Sequence, residues 1–215
     1  EKYTTKNNST EYIRTASSND EVDQAIISEA LPNLDERIDF SKYDFNQDNH
    51  IDSVIFIYSM EVGITDDTPW WAWVYIGSAG EAKNLKPLDG KTFDYYMWAS
   101  YYFMDENLND ETTLNAETYI HELGHLMGFP DLYPYEGNND YGPLGGWDMM
   151  DNNSADHGPA NKLLYGWLKP IMIDKAGTYD FNLESYSVNA TGENHVLIIP
   201  YKSSNLGDKD AFDEY

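Results

Sequence analysis

The chain reads as an α+β protein with a mixed, twisted sheet, a motif-bearing central helix, a second helix towards the C-terminus and strands at its C-terminal end. Three observations predict this. Aromatic and β-branched runs of strand length occur at Val54–Tyr58, Trp70–Ile76 and Phe93–Phe103. Segments of helical length begin at Asp20, Asn115 and Pro159, each with proline or glycine near an end. No repeat is visible, and 215 residues suit a single domain with a substantial core.

Residues 1–18 are polar and rich in Ser, Thr and Asn, which suggests an extended or weakly ordered lead-in. Asp20 can cap a helix whose Val22, Ala25, Ile26 and Ala30 share a face, and Pro32 is expected to end it. The run at Val54–Tyr58 is expected as a buried strand by its β-branched and aromatic content, followed by the two aromatic strands. The central helix should start near Asn115 and turn Ile120, Leu123 and Met127 to the core. A loop rich in Gly, Asn, Asp and Pro spans Pro130 to Asn153, and a helix covers Pro159–Trp167. Alternation then predicts strands at Tyr179–Leu183 and His195–Tyr201. The organisation expected is a lead-in (1–18), a core (19–170) and a C-terminal β segment (171–215); Asp213-Glu214-Tyr215 resembles the start of a strand that continues in a known family, which implies a longer natural chain.

Composition narrows the function. Thirteen Lys and Arg against 38 Asp and Glu leave a formal charge of -25, a surface that repels nucleic acid and anionic membranes. Self-repulsion of that size favours a soluble monomer. No apolar run is long enough to span a bilayer, and with no cysteine there is no disulfide. The start at Glu1, without Met or an apolar leader, suggests a processed form of an exported protein.

The densest chemistry lies in His121-Glu122-Leu123-Gly124-His125-Leu126-Met127-Gly128-Phe129-Pro130-Asp131. Histidines at i and i+4 share a helix face about 6 Å apart along the axis, so both imidazoles can reach one zinc ion. Glu122 then projects beside the open coordination position as general base. Gly128 accepts the left-handed conformation that stops a helix, Pro130 prevents its resumption, and Asp131 can return as third ligand. Being shorter than a histidine, Asp131 can alternatively bind calcium or orient Tyr133.

A second cation site is suggested by Asp44-Phe45-Asn46-Gln47-Asp48-Asn49-His50-Ile51-Asp52. Oxygens of Asp44, Asn46, Asp48 and Asp52, with the His50 carbonyl, follow the order of a calcium loop. Asn49 stands where glycine is usual and tolerates a left-handed turn. Ile55 occupies the position of the usual bidentate glutamate, and a strand follows, so this is not an EF-hand. An Asx-rich turn that binds nothing is the competing reading. Asn138, Asn139, Asp140 and Asp148 form a weaker candidate.

HExxHxxGxxD is the extended signature of metzincin-like secreted peptidases, and the run through Leu132 and Tyr133 resembles the bacterial immune inhibitor A family. Gly145-Gly146-Trp147-Asp148-Met149-Met150-Asp151 is similar to that family's methionine turn. Pro159–Leu168 is similar to the helix and Gly-Trp exit that follow it, and Ile38–Asp44 also fits, so the resemblance covers roughly residues 20–170. It implies a metzincin-like catalytic domain and a secreted, extracellular zinc endopeptidase acting on proteins or peptides. It also implies a hydrophobic base under the metal from Met150, or Met149 in the other register. Where some metzincins place a tyrosine after this methionine, the chain has Asn152. His157 is the nearest alternative for an oxyanion donor, set against an ordinary structural histidine. The side chains of His50 and His195 have no constellation around them.

A different class of function is a calcium-stabilised surface module that keeps a zinc site but binds peptides or glycans through Trp70, Trp71 and Trp73. Glu122 distinguishes the two readings, because binding alone has no need of a base.

Overall fold

A three-stranded mixed sheet organises the first half of the chain. The computed structural model describes residues 1–15, 20–61, 69–76, 86–104, 114–135, 143–187 and 195–199. Strand β1 (Val54–Tyr58) pairs in parallel with β3 (Tyr95–Ser100), and β2 (Trp73–Ile76) pairs antiparallel on its other side. The aromatic run expected over Phe93–Phe103 is strand only to Ser100, where a 3₁₀ turn (Tyr101–Met104) takes over. Likewise Trp70–Trp71 precede the ladder and only Trp73–Ile76 join it. The chain divides into two compact units, Glu1–Asp131 and Leu132–Tyr215.

Central strand β3 is buried on both faces, and its alternation separates two layers of core. Tyr96 and Trp98 face Val22, Ile27 and Leu31 of helix α2 (Asp20–Asp35), together with Phe40, Ile51 and Phe93. The aromatics interleave there: Tyr58 stacks on Trp98 at 4.7 Å and Tyr75 on Tyr96 at 5.1 Å between centroids. Such pairs add about 0.5–1.5 kcal/mol beyond their burial. Met97 and Ala99 face the other way, onto Tyr119 of helix α3 (Glu117–Leu126).

Helix α2 differs from expectation in two respects. Its buried face is Val22, Asp23, Ile27, Ala30 and Leu31, while Ala25 is exposed. The rotation brings in Asp23, whose Oδ2 accepts from Tyr96 Oη (2.7 Å) and Trp73 Nε1 (3.1 Å). Pro32 also lies inside the helix, which runs on to Asp35. Proline has no N–H for the Ser28 carbonyl, a defect of about 3 kcal/mol. The core contacts of Leu31 and Leu34 on either side of it offset that cost.

The lead-in is likewise more ordered than its composition suggests. Ser9–Thr15 form a short helix, α1, with Tyr12 buried. Glu29 of α2 fastens this segment, accepting from Tyr3 Oη (2.6 Å), Lys6 N (2.8 Å) and Tyr12 Oη (2.8 Å). Burial and these donors compete at Glu29, and its pKa ends lower than usual.

The second unit holds a one-turn helix α4 (Met149–Asn152), helix α5 (Pro159–Leu164), and a two-residue parallel pair, β4 (Ile171–Met172) with β5 (Leu197–Ile198). Residues 179–183 form no strand. Tyr179, Phe181 and Leu183 alternate as a strand would, but no described segment offers a ladder, and the Tyr179 and Phe181 rings stack on each other at 5.9 Å. Of the strand expected over His195–Tyr201, only Leu197–Ile198 is laddered, and Tyr201 lies outside the described residues, as do Asp213, Glu214 and Tyr215. Among the described residues no helix is long and apolar enough to cross a membrane.

Asp23 gives this fold a direct test. Replacing it with Ala takes this acceptor from the buried Tyr96 hydroxyl and the half-buried Trp73 indole N–H, an expected loss of about 2–4 kcal/mol in urea unfolding. Asp23→Asn, which keeps an acceptor, should cost less than half of that. Equal losses in the two variants would show that the carboxylate does not organise these donors.

Candidate metal centre

Helix α3 is short, ten residues, and buries polar chemistry in place of grease. Its inward residues are Thr118, Tyr119, His121, Glu122 and Gly124. Ile120 and Leu123, expected in the core, are 41% and 39% exposed. The helix starts at Glu117, two residues later than expected, where Asn115 Oδ1 accepts from Glu117 N (2.8 Å). Tyr119 reaches across to the sheet, its hydroxyl donating to the Ser100 carbonyl (2.8 Å). Burial pushes that hydroxyl's pKa up to about 12, so it remains a donor near neutrality.

The C-terminus of α3 turns as the glycine and proline predict. Gly128 adopts φ +95°, a conformation costly for any residue with a Cβ. Phe129 N then bonds back to the Gly124 carbonyl (2.9 Å) and Gly128 N to the His125 carbonyl (2.8 Å), closing the last turn. The Phe129 carbonyl is thereby set 2.8 Å from His125 Nδ1. A carbonyl can only accept, so Nδ1 carries the proton and Nε2 presents its lone pair.

Nε2 faces Asp131. Asp131 Oδ1 lies 3.0 Å from His121 Nε2 and 3.2 Å from His125 Nε2, and the two rings meet edge to face at 4.7 Å. The three donor atoms lie within 4.8 Å of one another. Bonds of 2.0–2.2 Å to a tetrahedral ion would set ligand atoms about 3.3 Å apart, close to what is found. Two imidazoles, a carboxylate and a carbonyl orienting one imidazole fit a divalent metal of borderline softness. Among the described residues this is the one group of three or more His, Asp or Glu side chains that converges so.

Electrostatics agree. Burial alone would lower the His125 pKa, but Asp131 and the Phe129 carbonyl outweigh it and the net shift is upward. In the absence of metal this pair therefore favours a proton, which a cation would displace. Glu122 behaves oppositely to an ordinary surface acid. Burial pushes its carboxyl up to about 7, against the opposing pull of His121 and His125, and Asp131 adds repulsion. Its Oε2 is buried and accepts no hydrogen bond.

The acidic loop Asp44–Asp52 is built differently. Asn49 takes the left-handed conformation expected of it (φ 69°), and Gln47 does so too (φ 63°). The side-chain oxygens are engaged within the loop. Asp44 accepts from Asp48 N (3.0 Å) and Asn49 N (3.1 Å), Asp48 from His50 N (2.8 Å), and Asp52 from Phe45 N (3.1 Å). Lys91, the one Lys or Arg between Lys86 and Lys162, places its ammonium 2.6 Å from Asp44 Oδ2. It holds the Asp44 carboxyl below the usual carboxylate range. His50 has the surroundings that its sequence context did not reveal: its Nδ1 is hydrogen-bonded to the buried Asp94 carboxylate and lies 3.0 Å from Thr92 Oγ1.

The other candidate residues lie in the second unit. Met149 and Met150 are both fully buried in α4, and Met150 N donates to Asp148 Oδ1 (2.8 Å). His157 is buried and packs against Trp167 at 5.9 Å. Asp148 accepts from Gly158 N (2.7 Å) as well as Met150 N, so it caps α4 and ties it to α5; Asn138, Asn139 and Asp140 lie outside the described residues. The tryptophans proposed as a binding platform turn inward: Trp70 and Trp73 stack with Trp98 and Trp71 meets Phe103 at 5.4 Å. Tyr119, Lys91 and the Phe129 carbonyl were missed from sequence. Lys91 alone had a signal, its isolation in an acidic stretch.

No protein-family model matches the chain, and a search of curated proteins returns no relative.

A pH-dependent stability follows from Glu122. Its carboxyl rises from 4.5 to about 7 on folding, so the protonated form favours the fold. That contribution is complete below about pH 4 and is lost as pH climbs through about 7, by on the order of 3 kcal/mol. In metal-free protein, Glu122→Gln is expected to melt higher than the parent at pH 8 and at the same temperature at pH 4. A difference that does not change with pH would rule out a desolvated carboxyl here.

Proposed function

We propose that this chain is the catalytic domain of a secreted zinc endopeptidase, metzincin-like in architecture and related in kind to the immune inhibitor A family its motifs resemble. The observation that carries the reading is Asp131 Oδ1 meeting both Nε2 atoms, with the desolvated Glu122 carboxyl in the same buried cluster. The mixed sheet flanked by α2 and α3 is compatible with that architecture.

His121, His125 and Asp131 would hold the zinc. When bound, zinc polarises a peptide carbonyl as a Lewis acid and lowers the pKa of water towards neutrality. A dication at these donors also stabilises the ionised form of Glu122. Glu122 takes a proton from water as the water oxygen attacks the scissile carbonyl carbon. As the C–N bond breaks, the same carboxyl returns that proton to the leaving amine. The Phe129 carbonyl keeps His125 in the tautomer that presents Nε2. Substrates are proteins or peptides, the site of action is extracellular, and the domain works as a monomer.

We also assign a structural calcium ion to the Asp44–Asp52 loop. The loop already draws one cation, the Lys91 ammonium, to Asp44. Calcium would displace it and engage Asp44, Asn46, Asp48, Asp52 and the His50 carbonyl.

Two experiments test these assignments. Glu122→Gln is expected to reduce zinc-dependent peptide hydrolysis at least 10²-fold, a typical contribution for a general base, while anomalous scattering still places zinc between His121, His125 and Asp131. Undiminished turnover, or a metal away from both histidines, would defeat the mechanism. For calcium, the melting temperature of zinc-loaded protein should rise, corresponding to about 2.7 kcal/mol at a hundredfold excess over Kd. Lys91→Met should enlarge the rise and Asp48→Ala should remove most of it. Superimposable melting curves in all three proteins would reduce the loop to a turn.

A further inference from the structure

Helix α3 holds to the sheet through few apolar side chains, the buried Tyr119 and the half-buried Leu126. Ile120 and Leu123 face outward, and its buried face consists mainly of groups needed for chemistry, His121 and Glu122. Tyr119 is the one large buried side chain of the helix outside that set, lying among Ala72, Met97 and Ala99. Its hydroxyl ends on the Ser100 carbonyl, 2.8 Å away. Ser100 is itself fixed. It is fully buried at the end of β3 and registers against Tyr58 of β1. Its Oγ donates to the Met60 carbonyl and accepts from Tyr102 N (3.1 Å). Ser100 thus ties the end of β3, the segment after β1 and helix α3 at a single corner, through its hydroxyl and its carbonyl.

We propose that Tyr119 is a positioning residue: by donating to the Ser100 carbonyl, its hydroxyl sets the rotation and axial register of α3, and with them the placement of His121, Glu122 and His125. The geometry of a helix gives this leverage. Tyr119 lies three residues before Glu122, a neighbour on the same surface, and two before His121. A small rotation about the axis moves the base and both histidines together and strains the hydrogen-bonded Gly128 turn that carries Asp131 back to them. Misplacement of about 1 Å at such a centre costs on the order of 10²-fold in rate. Packing of the ring supplies stability, whereas the hydroxyl supplies direction, since a hydrogen bond has a preferred line and a ring in an apolar pocket can slide.

The inference rests on the zinc peptidase reading only for its kinetic arm. Its metal arm stands without it. Full-length chain is stripped of metal and titrated with zinc against a competing chelator, and with cobalt(II) to record the ligand-field spectrum. Tyr119→Phe, which keeps the ring and removes the hydroxyl, is expected to bind zinc about tenfold more weakly, the lower end of effects seen when the support of a metal ligand is lost. The cobalt spectrum should change, and kcat should fall about tenfold with KM unchanged. Ser100→Ala, which frees the carbonyl from its own anchors and leaves Tyr119 intact, is expected to change the same quantities in the same direction by a smaller factor, and it decides the matter if Tyr119→Phe does not fold. Parental zinc affinity and cobalt spectrum with only a lowered melting temperature would overturn the proposal, leaving Tyr119 as core. A parent protein with no hydrolysis whose variants still lose zinc affinity would defeat the peptidase reading and leave Tyr119 in its positioning role.

Discussion

The candidate metal centre depends on how α3 ends. Two histidines on one helical turn offer two lone pairs, but a third ligand has to come from outside the helix, within a few residues and pointing back. Gly128 makes that possible by adopting φ +95°, after which Phe129 N recovers the Gly124 carbonyl and the chain leaves the helix axis. The same turn does two further things: it delivers the Phe129 carbonyl to His125 Nδ1 and brings Asp131 Oδ1 to both Nε2 atoms. Tautomer, ring orientation and third ligand therefore follow from one backbone conformation. A residue with a Cβ at 128 would strain all three together.

A second constraint is the management of negative charge. At -25, the chain cannot bury carboxylates without partners, and most of those it buries have them. Asp23 has Tyr96 and Trp73, Asp44 has Lys91, Asp94 has His50, and Asp148 has the amides of Met150 and Gly158. These are structural carboxylates, hydrogen-bonded to fixed donors. Glu122 differs in kind, since burial raises it to about 7 and its Oε2 has no donor. A group left in that condition is costly to the fold and suited to exchanging protons near neutrality.

The acidic loop and the metal centre show two ways of handling cation affinity. In the loop, carboxylates bind their own backbone amides and an internal ammonium, so their charge is spread within the fold. At the metal centre the donors converge on one another, with His and Asp lone pairs directed into a common space. The first arrangement tolerates the absence of metal. In the second, burial opposes a charge on His125, but the Asp131 carboxylate and the Phe129 carbonyl outweigh it and shift His125 upward.

Sequence alone determined the local chemistry: the HExxH spacing, the glycine stop, the return of an aspartate, the Asn49 turn, and the position of strand β1, though not its burial, since Ile55 and Ile57 of that apolar run are exposed. Each depends on steric or periodic rules acting within about a dozen residues, which are written in the order of the chain. It failed where the deciding partner was distant. The inward face of α3 is polar because tertiary structure turned the ligands to the interior, against the pull of Ile120 and Leu123. Pro32 sits within α2 because the core holds Leu31 and Leu34 on both sides of it. The polar lead-in folds because Glu29, beyond it in sequence, collects its tyrosines, and Tyr179–Leu183 is not a strand because, among the described residues, no segment lies beside it to complete a ladder. Ser100 meeting Tyr119, and Lys91 meeting Asp44, were likewise decided by tertiary structure, since contacts across 19 and 47 residues leave no periodic trace in the chain.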